Sequence, residues 1–302
     1  RDGNDPRWLI EGFPAVLTRD LYFGIYQSLW VEDAQGNRLF TQFPEDFFDV
    51  IIIDEAHRSG FGTWQDILNH FPDAIHLGMT ATPKTTDNVD TYDYFCKDEA
   101  EILVDPEDPS KGSRRQAAYE YSLGQGIEDG FLATYKIHRV KTTVDQNGLK
   151  LQEAIEQGAE VFVPENAETR EIFNTPQFER EITLPDRTQT MVNHLSELLR
   201  QFGPTEKTMV FCVDIAHAQL VARYLNDALG HLGLHPYAVP IVAEEGQAPI
   251  WLQQFQDSDH ATPVIATTAE LLTTGVDVPA CRNIVFMKTI SSPVLFKQII
   301  GR

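Results

Sequence analysis

The stretch Val50-Ile-Ile-Ile-Asp54-Glu55-Ala56-His57 decides the fold, because four β-branched apolar residues run directly into two adjacent carboxylates. Such a run is typical of a strand buried on both faces of a parallel sheet. The pair then lies at the carboxyl end of the strand, where α/β proteins bind their ligands. A solvated acidic turn is the alternative interpretation. The apolar run before the two carboxylates and the Ala-His after them instead favour a functional site.

These two carboxylates suit the chemistry of phosphate transfer. Mg²⁺ takes hard oxygen ligands, keeps several waters and bridges to substrate phosphates. We therefore predict that Asp54 holds Mg²⁺ through its water shell. Glu55 is predicted to orient and deprotonate the attacking water.

Strand-like apolar runs alternate with amphipathic, helix-like segments along the chain, which predicts an α/β fold with mainly parallel sheets. We expect two domains, residues 1–135 and 136–302. In the first, a loop or connector is expected from about residue 104, and the Pro- and charge-rich Asp105–Arg115 is expected to be exposed. In the second, residues 145–190 are expected to form an irregular insertion. The other strand-like runs are Ile75–Met79, Thr208–Cys212, Val264–Ala266 and Asn283–Met287.

The composition excludes some classes of protein. The 302 residues carry a net charge of −21, a mild argument against a nucleic-acid binder, although backbone contacts need only a local strip of donors. No apolar run approaches the ~20 residues of a membrane helix. Three distant cysteines suggest neither a disulfide framework nor a zinc site, so we expect a cytoplasmic protein with no membrane association.

Two motifs resemble those of superfamily 2 helicases and translocases, which have two RecA-like domains. Asp54-Glu55-Ala56-His57 is similar to their DEAH form of the Walker B motif, and Thr80-Ala81-Thr82-Pro83 to their motif III. The resemblance implies ATP and Mg²⁺ as cofactors. It also implies that Thr80 and Thr82 sense His57 and relay the nucleotide state to the nucleic acid.

Three further stretches resemble motifs IV, V and VI of the same families. They are Thr208–Cys212 with Asp214, Ala266–Pro279 and Gln298–Arg302. The resemblance implies that Gly275, Asp277 and Arg302 bind nucleotide, with Gln298 and Arg302 catalytic and Arg302 an arginine finger. The DNA contacts that it implies are Cys212, Thr267, Thr268 and Thr274, with Gln27 and Ser28 as further candidates.

Two departures from the pattern concern the ends of the chain. No Gly-Lys pair occurs, although a P-loop needs one to hold the phosphates, and motif VI stops at its first arginine. We expect a fragment whose first domain is truncated on its P-loop side and which is nearly inactive alone as an ATPase.

Finer resemblance points to the restriction (R) subunit of type I restriction-modification enzymes. It rests on Tyr121–Tyr135, Phe173–Ile182, Leu184–Thr188 and Leu271–Pro279. It implies an ATP-dependent translocase of double-stranded DNA, partnered by modification (methyltransferase) and specificity subunits. No lysine follows an acidic residue at the [D/E]-x-K spacing, so cleavage is expected outside this chain. The alternatives are a type III restriction subunit, a superfamily 2 DNA repair helicase, or a scaffold that does not hydrolyse ATP.

Overall fold

The computed structural model divides the chain into two compact units, Arg1–Ser122 and Leu123–Arg302. The division falls somewhat before the expected boundary at residue 135. The structure describes residues 5–58, 63–83, 85–86, 89–96, 102–104, 113–115, 117–163, 172–269, 276–290 and 292–300.

The first unit is built from short strands and helices. Its strands are β1 (Arg7–Ile10), β2 (Leu21–Gly24), β3 (Val50–Ile53), β4 (Ile75–Gly78), β5 (Thr85–Thr86), β6 (Val89–Asp90), β7 (Ile102–Val104) and β8 (Ser113–Arg115). Its helices are α1 (Tyr26–Trp30), α2 (Thr63–Asn69) and α3 (Thr91–Phe95), with 3₁₀ helices at Leu39–Gln42 and Ala56–Arg58.

The longer strands of this unit pair in parallel, as the sequence predicts. β1 pairs with β2, and β3 pairs with β4 in a register that sets Val50 opposite Ile75 and Ile53 opposite Gly78. The pairs β5–β6 and β7–β8 are antiparallel. The last three residues of the expected loop at 105–115 therefore form a strand, β8, and residues 105–112 lie outside the described residues.

Aromatic side chains form the core of the first unit. The ring of Tyr22 lies 5.9 Å from that of Phe43 and 5.5 Å from those of Phe47 and Phe48. This core covers only one face of the strands: Ile52 is 63% exposed and Ile75 68%. The prediction that both faces of β3 are buried is therefore wrong for the described residues, because successive side chains of a strand point to opposite faces.

The second unit contains a four-stranded parallel sheet of order β12–β13–β11–β14. The strands of the second unit are β9 (Leu149–Lys150), β10 (Ile172–Phe173), β11 (Lys207–Phe211), β12 (Ala238–Pro240), β13 (Ile265–Thr268) and β14 (Cys281–Phe286). Its helices are α4 (Leu123–Glu128), α5 (Thr143–Asn147), α6 (Leu151–Glu156), α7 (Pro185–Phe202), α8 (Ile215–Leu229), α9 (Ala248–Gln256) and α10 (Pro293–Ile300). The predicted α/β class with a parallel sheet is confirmed.

Local sequence explains where the two long helices of this unit begin and how they pack. α7 starts with Pro185, which suits the first helical turn, and buries the stripe Val192, Leu195 and Leu199. α8 starts after Asp214, whose carboxylate accepts a hydrogen bond of 2.7 Å from the backbone N–H of His217. Both helices share one apolar core with Val210 of β11, all five residues of which are buried.

The expected irregular insertion is in part a folded piece. β9 and β10 pair in antiparallel, and α5 opens with a capping box between Thr142 and Asp145. A small core gathers Phe173, Phe178, Ile182 and Leu184. The weak periodicity of the sequence hid these elements because each is at most six residues long.

Candidate active site

The adjacent carboxylates Asp54 and Glu55 lie directly beyond the carboxyl end of β3, as predicted. Asp54 is exposed, and its Oδ1 accepts a hydrogen bond of 2.9 Å from the backbone N–H of Glu55. Beyond the neighbouring strand, Met79 donates to the carbonyl of Ile53 at 2.8 Å, and Ala56 donates to that of Met79 at 2.9 Å. These hydrogen bonds extend the pairing beyond the ends of β3 and β4, and they hold the turns that follow the two strands side by side.

Glu55 has a strained backbone. Its φ is +50°, in the left-handed region that side-chain-bearing residues seldom adopt. Its Oε2 is buried and, although 3.2 Å from Nδ1 of His57, makes no well-aligned hydrogen bond within the described structure. Strain and an unsatisfied buried oxygen together are typical of functional sites.

His57, Thr80 and Thr82 form one hydrogen-bonded cluster. Nδ1 of the buried His57 lies 2.9 Å from Oγ1 of Thr80 and 3.4 Å from Oγ1 of Thr82. The hydroxyl of Thr80 also accepts a bond of 3.1 Å from the backbone N–H of Thr82. The structure thus brings together three side chains that lie up to 25 residues apart in sequence.

A glycine permits this close packing. A Cβ built on Gly78 would lie 2.8 Å from the ring of Phe95 and 3.0 Å from Cβ of Ala56. Real Cβ atoms are essentially never found closer than 3.0 Å to other heavy atoms. A larger residue at this position would therefore force the ring of Phe95 to shift and would crowd Ala56 in the turn after β3.

The groups at this edge fit a hydrated Mg²⁺. Within the described ranges, no group of three or more His, Cys, Asp or Glu side chains could enclose a metal ion. The exposed carboxylate of Asp54 can still bind Mg²⁺ through water, as this ion usually retains waters and takes its other ligands from phosphates.

The predicted nucleotide-binding residues of the second unit are only partly described. Asp277 is exposed, and its carbonyl accepts a hydrogen bond of 2.9 Å from Nε2 of Gln256. Gln298 lies on α10. Thr274, Gly275 and Arg302 lie outside the described residues.

Three predicted DNA contacts require correction. Cys212, Thr267 and Thr268 have fully buried side chains, so they offer no surface to DNA in this structure. Cys212 follows β11 and the threonines end β13, and these are the two central strands of the sheet. Oγ1 of Thr267 donates to the carbonyl of Ala218 at 2.7 Å, an interior bond that fastens α8 to the sheet.

The other candidates lie at the surface. Gln27 is exposed and Ser28 half-buried, both on α1.

Sequence reasoning missed a buried polar network in the second unit. Arg187 donates a hydrogen bond of 2.8 Å to Asp145 and lies 3.8 Å from Glu179, while Thr188 lies 3.4 Å from Nε2 of His217. Burial raises the pKa of Glu179 to about 7, and burial with the charge of Arg187 lowers the pKa of His217 to about 4. Burial acts to raise the pKa of Asp145, but hydrogen bonds from Thr142 and the Arg187 charge hold it below its usual value.

The comparisons with known proteins identify subunits of restriction enzymes as similar to this α/β chain. Residues 13–85 match the family described as "Type III restriction enzyme, res subunit". The chain superposes on a solved fragment from Vibrio vulnificus YJ016 with a TM-score of 0.68 and 37% sequence identity. The superposition covers 99% of this chain and 47% of that fragment. That fragment is assigned to the HsdR subunit of a type I restriction enzyme.

The chain is also similar to two type I restriction enzyme endonuclease subunits of Escherichia coli. It is 35% identical to that of EcoAI over 294 residues, which are 94% of this chain and 32% of the relative. It is 27% identical to that of EcoKI over 328 residues, covering 99% of this chain and 26% of the relative. The chain thus spans a third or less of these relatives. The predicted resemblance to the R subunit of a type I restriction enzyme is confirmed.

No helix in the described parts of the chain combines the length and the apolar character that a membrane span requires.

Proposed function

We propose that this chain is the main part of an ATP-driven motor that moves double-stranded DNA, within the R subunit of a type I restriction enzyme. One observation carries the proposal. The exposed Asp54 and the strained Glu55 follow β3, and His57 joins them to Thr80 and Thr82 beyond the neighbouring strand. Similarity to restriction endonuclease subunits over nearly the whole chain supports this proposal.

Asp54 and Glu55 would perform the chemistry. ATP with Mg²⁺ supplies the terminal phosphate and the charge that stabilises its transfer. Asp54 would hold the ion through water. Glu55 has a strained backbone, and its unsatisfied Oε2 can accept a hydrogen bond or a proton from a water molecule.

The cluster of His57, Thr80 and Thr82 would couple hydrolysis to movement. His57 Nδ1 contacts Thr80 Oγ1 at 2.9 Å and also lies 3.2 Å from Glu55 Oε2, close enough to respond to a movement of that carboxylate. Any shift of Glu55 toward a ligand would therefore change the hydrogen bonding of the two threonines. The turn that carries them would pass this change to the DNA track.

The second unit contains further residues that we propose to bind nucleotide. Gly275 and Asp277 would approach the nucleotide, and Gln298 with Arg302 would act on its terminal phosphate. An arginine suits the last role because its planar fork pairs with phosphate oxygens as charge develops. Gln27, Ser28 and Thr274 remain the proposed side-chain contacts to DNA.

The partners follow from the same proposal. The R subunit would assemble with modification (methyltransferase) and specificity subunits, the latter choosing the DNA sequence. DNA cleavage would belong to a nuclease outside these residues, because no lysine of the chain has the [D/E]-x-K spacing.

A second candidate is a type III restriction subunit, which the match of residues 13–85 to the res subunit family favours. A superfamily 2 repair helicase would use the same carboxylates and threonines, and it differs in separating the DNA strands.

Two assays on the intact protein test whether the motor moves along duplex DNA without unwinding it. One measures ATP-dependent displacement of a triplex-forming strand from intact duplex. The other measures release of a labelled strand from a forked duplex. We expect triplex displacement without strand release. Efficient strand release would contradict the translocase proposal and support a strand-separating helicase.

A further inference from the structure

An acid-free basic segment opens the second unit. Residues 130–144 contain no Asp or Glu but include Lys136, His138, Arg139 and Lys141, in a chain whose net charge is −21. We call residues 133–141 the basic strip. A local excess of cations is what sequence-independent DNA binding requires, whatever the net charge of the whole protein.

Every residue of the basic strip is exposed. None of its three cations, Lys136, Arg139 and Lys141, forms an ion pair with a described residue. Other cations of this unit are engaged: Arg187 bonds to Asp145 at 2.8 Å, and Nζ of Lys207 donates to the carbonyl of Pro263 at 2.9 Å. The charges of the strip are therefore available to a ligand.

The backbone of the strip is available as well. Residues 133–141 belong to no helix or strand, and their N–H groups make no hydrogen bond to the described residues. The segment is nevertheless attached on both sides. Leu132 donates to the carbonyl of Gly126 at 2.9 Å, and Thr142 forms the capping box of α5. The ring of His138 lies 5.8 Å from that of Phe202 at the end of α7.

We propose that the basic strip binds the sugar-phosphate backbone of duplex DNA. Lys and Arg side chains and free backbone N–H groups are the donors that proteins present to phosphates. Five residues of extended chain span at most about 18 Å, so the cations from Lys136 to Lys141 can reach several phosphates of one strand, which rise 3.4 Å each. The inference rests on the proposed function and adds a DNA contact beyond the motif residues.

Free backbone groups could instead accept a β-strand from a protein partner. Strand addition uses the main chain and alternate side-chain pockets, and it does not require three cations that form no ion pair with the described residues. The complete absence of acidic residues from 130–144 favours a polyanion. The observations therefore favour DNA over a protein strand.

The test compares two variants of the intact protein that lose the same charge. The strip variant carries Lys136→Gln, Arg139→Gln and Lys141→Gln. The control variant carries Lys150→Gln, Arg180→Gln and Arg223→Gln, three exposed cations elsewhere in the second unit. Binding of a fluorescent 30-base-pair duplex of arbitrary sequence is titrated between 50 and 200 mM KCl, and circular dichroism verifies that both variants fold.

The strip variant should lose about three phosphate contacts, so the slope of its plot of log K against log salt should become shallower by about 2.7, at about 0.9 for each contact. Its affinity should then fall about 40-fold less between 50 and 200 mM than that of the unchanged protein. The control variant should keep the original slope. Equal slopes in all three proteins, or an equal change of slope in both variants, would overturn the inference. Neither result would contradict the proposed ATP-driven motor. Failure of the unchanged protein to bind duplex DNA would instead overturn the proposed function.

Discussion

The contact between His57 and Thr80 offers a direct test of coupling, through Thr80→Val in the intact protein. Valine keeps the branched shape and removes the hydroxyl. It would abolish the 2.9 Å contact to Nδ1 of the buried His57 and the 3.1 Å bond accepted from the N–H of Thr82. Of the two threonine hydroxyls, only that of Thr82, at 3.4 Å, would still contact Nδ1 of His57.

The size of the effect follows from those two bonds. Each contributes about 0.5–1.5 kcal/mol net, so the pair contributes about 1–3 kcal/mol. If the cluster transmits the nucleotide state, this energy is the coupling between ATP and DNA. DNA-stimulated ATP hydrolysis should then fall by about 5- to 150-fold. Hydrolysis without DNA should change by less than about threefold, because the Asp54–Glu55 pair is untouched.

The assay is steady-state ATP hydrolysis with and without duplex DNA. Thr41→Val is the matched control, since the exposed Thr41 hydroxyl bonds only to the carbonyl of Arg38 among described groups. A double-mutant cycle with His57→Ala should give a coupling of about 1 kcal/mol or more between the two positions. Additive effects of the two substitutions, or full DNA stimulation in Thr80→Val, would refute the relay.

Two further predictions concern single carboxylates. Glu55→Gln should retain ATP binding while hydrolysis falls by about two to four orders of magnitude, the range of a positioned general base, and retained turnover would remove Glu55 from that role. For Glu179, a pKa raised from 4.5 to about 7 means that its stabilising contribution is complete below pH 4.5 and is lost as the pH rises through 7. The stability advantage of the unchanged protein over Glu179→Gln should thus shrink by about 3 kcal/mol across that window. Melting temperatures of both proteins at pH 5 and pH 8 measure this, and a pH-independent difference would contradict it.

The sequence by itself determined the α/β class and the position of the paired carboxylates. Both depend on local patterns: a β-branched run favours a strand, and the polar residues that end it lie at the edge of the sheet. The starts of the two long helices, marked by Pro185 and Asp214, also depend on local sequence. Residues that favour the first turn or cap a helix interact only with their neighbours in sequence.

Only the tertiary structure decided which of the predicted side chains are exposed. Thr267 and Thr268 read as surface hydroxyls in a motif, yet β13 lies between β12 and β11, and the partner of the Thr267 hydroxyl is a carbonyl of α8, 49 residues away. The network of Glu179, Arg187 and Asp145 likewise joins residues up to 42 positions apart. Burial and hydrogen-bond partners arise from packing between distant segments, and a local pattern contains no information about which segments meet.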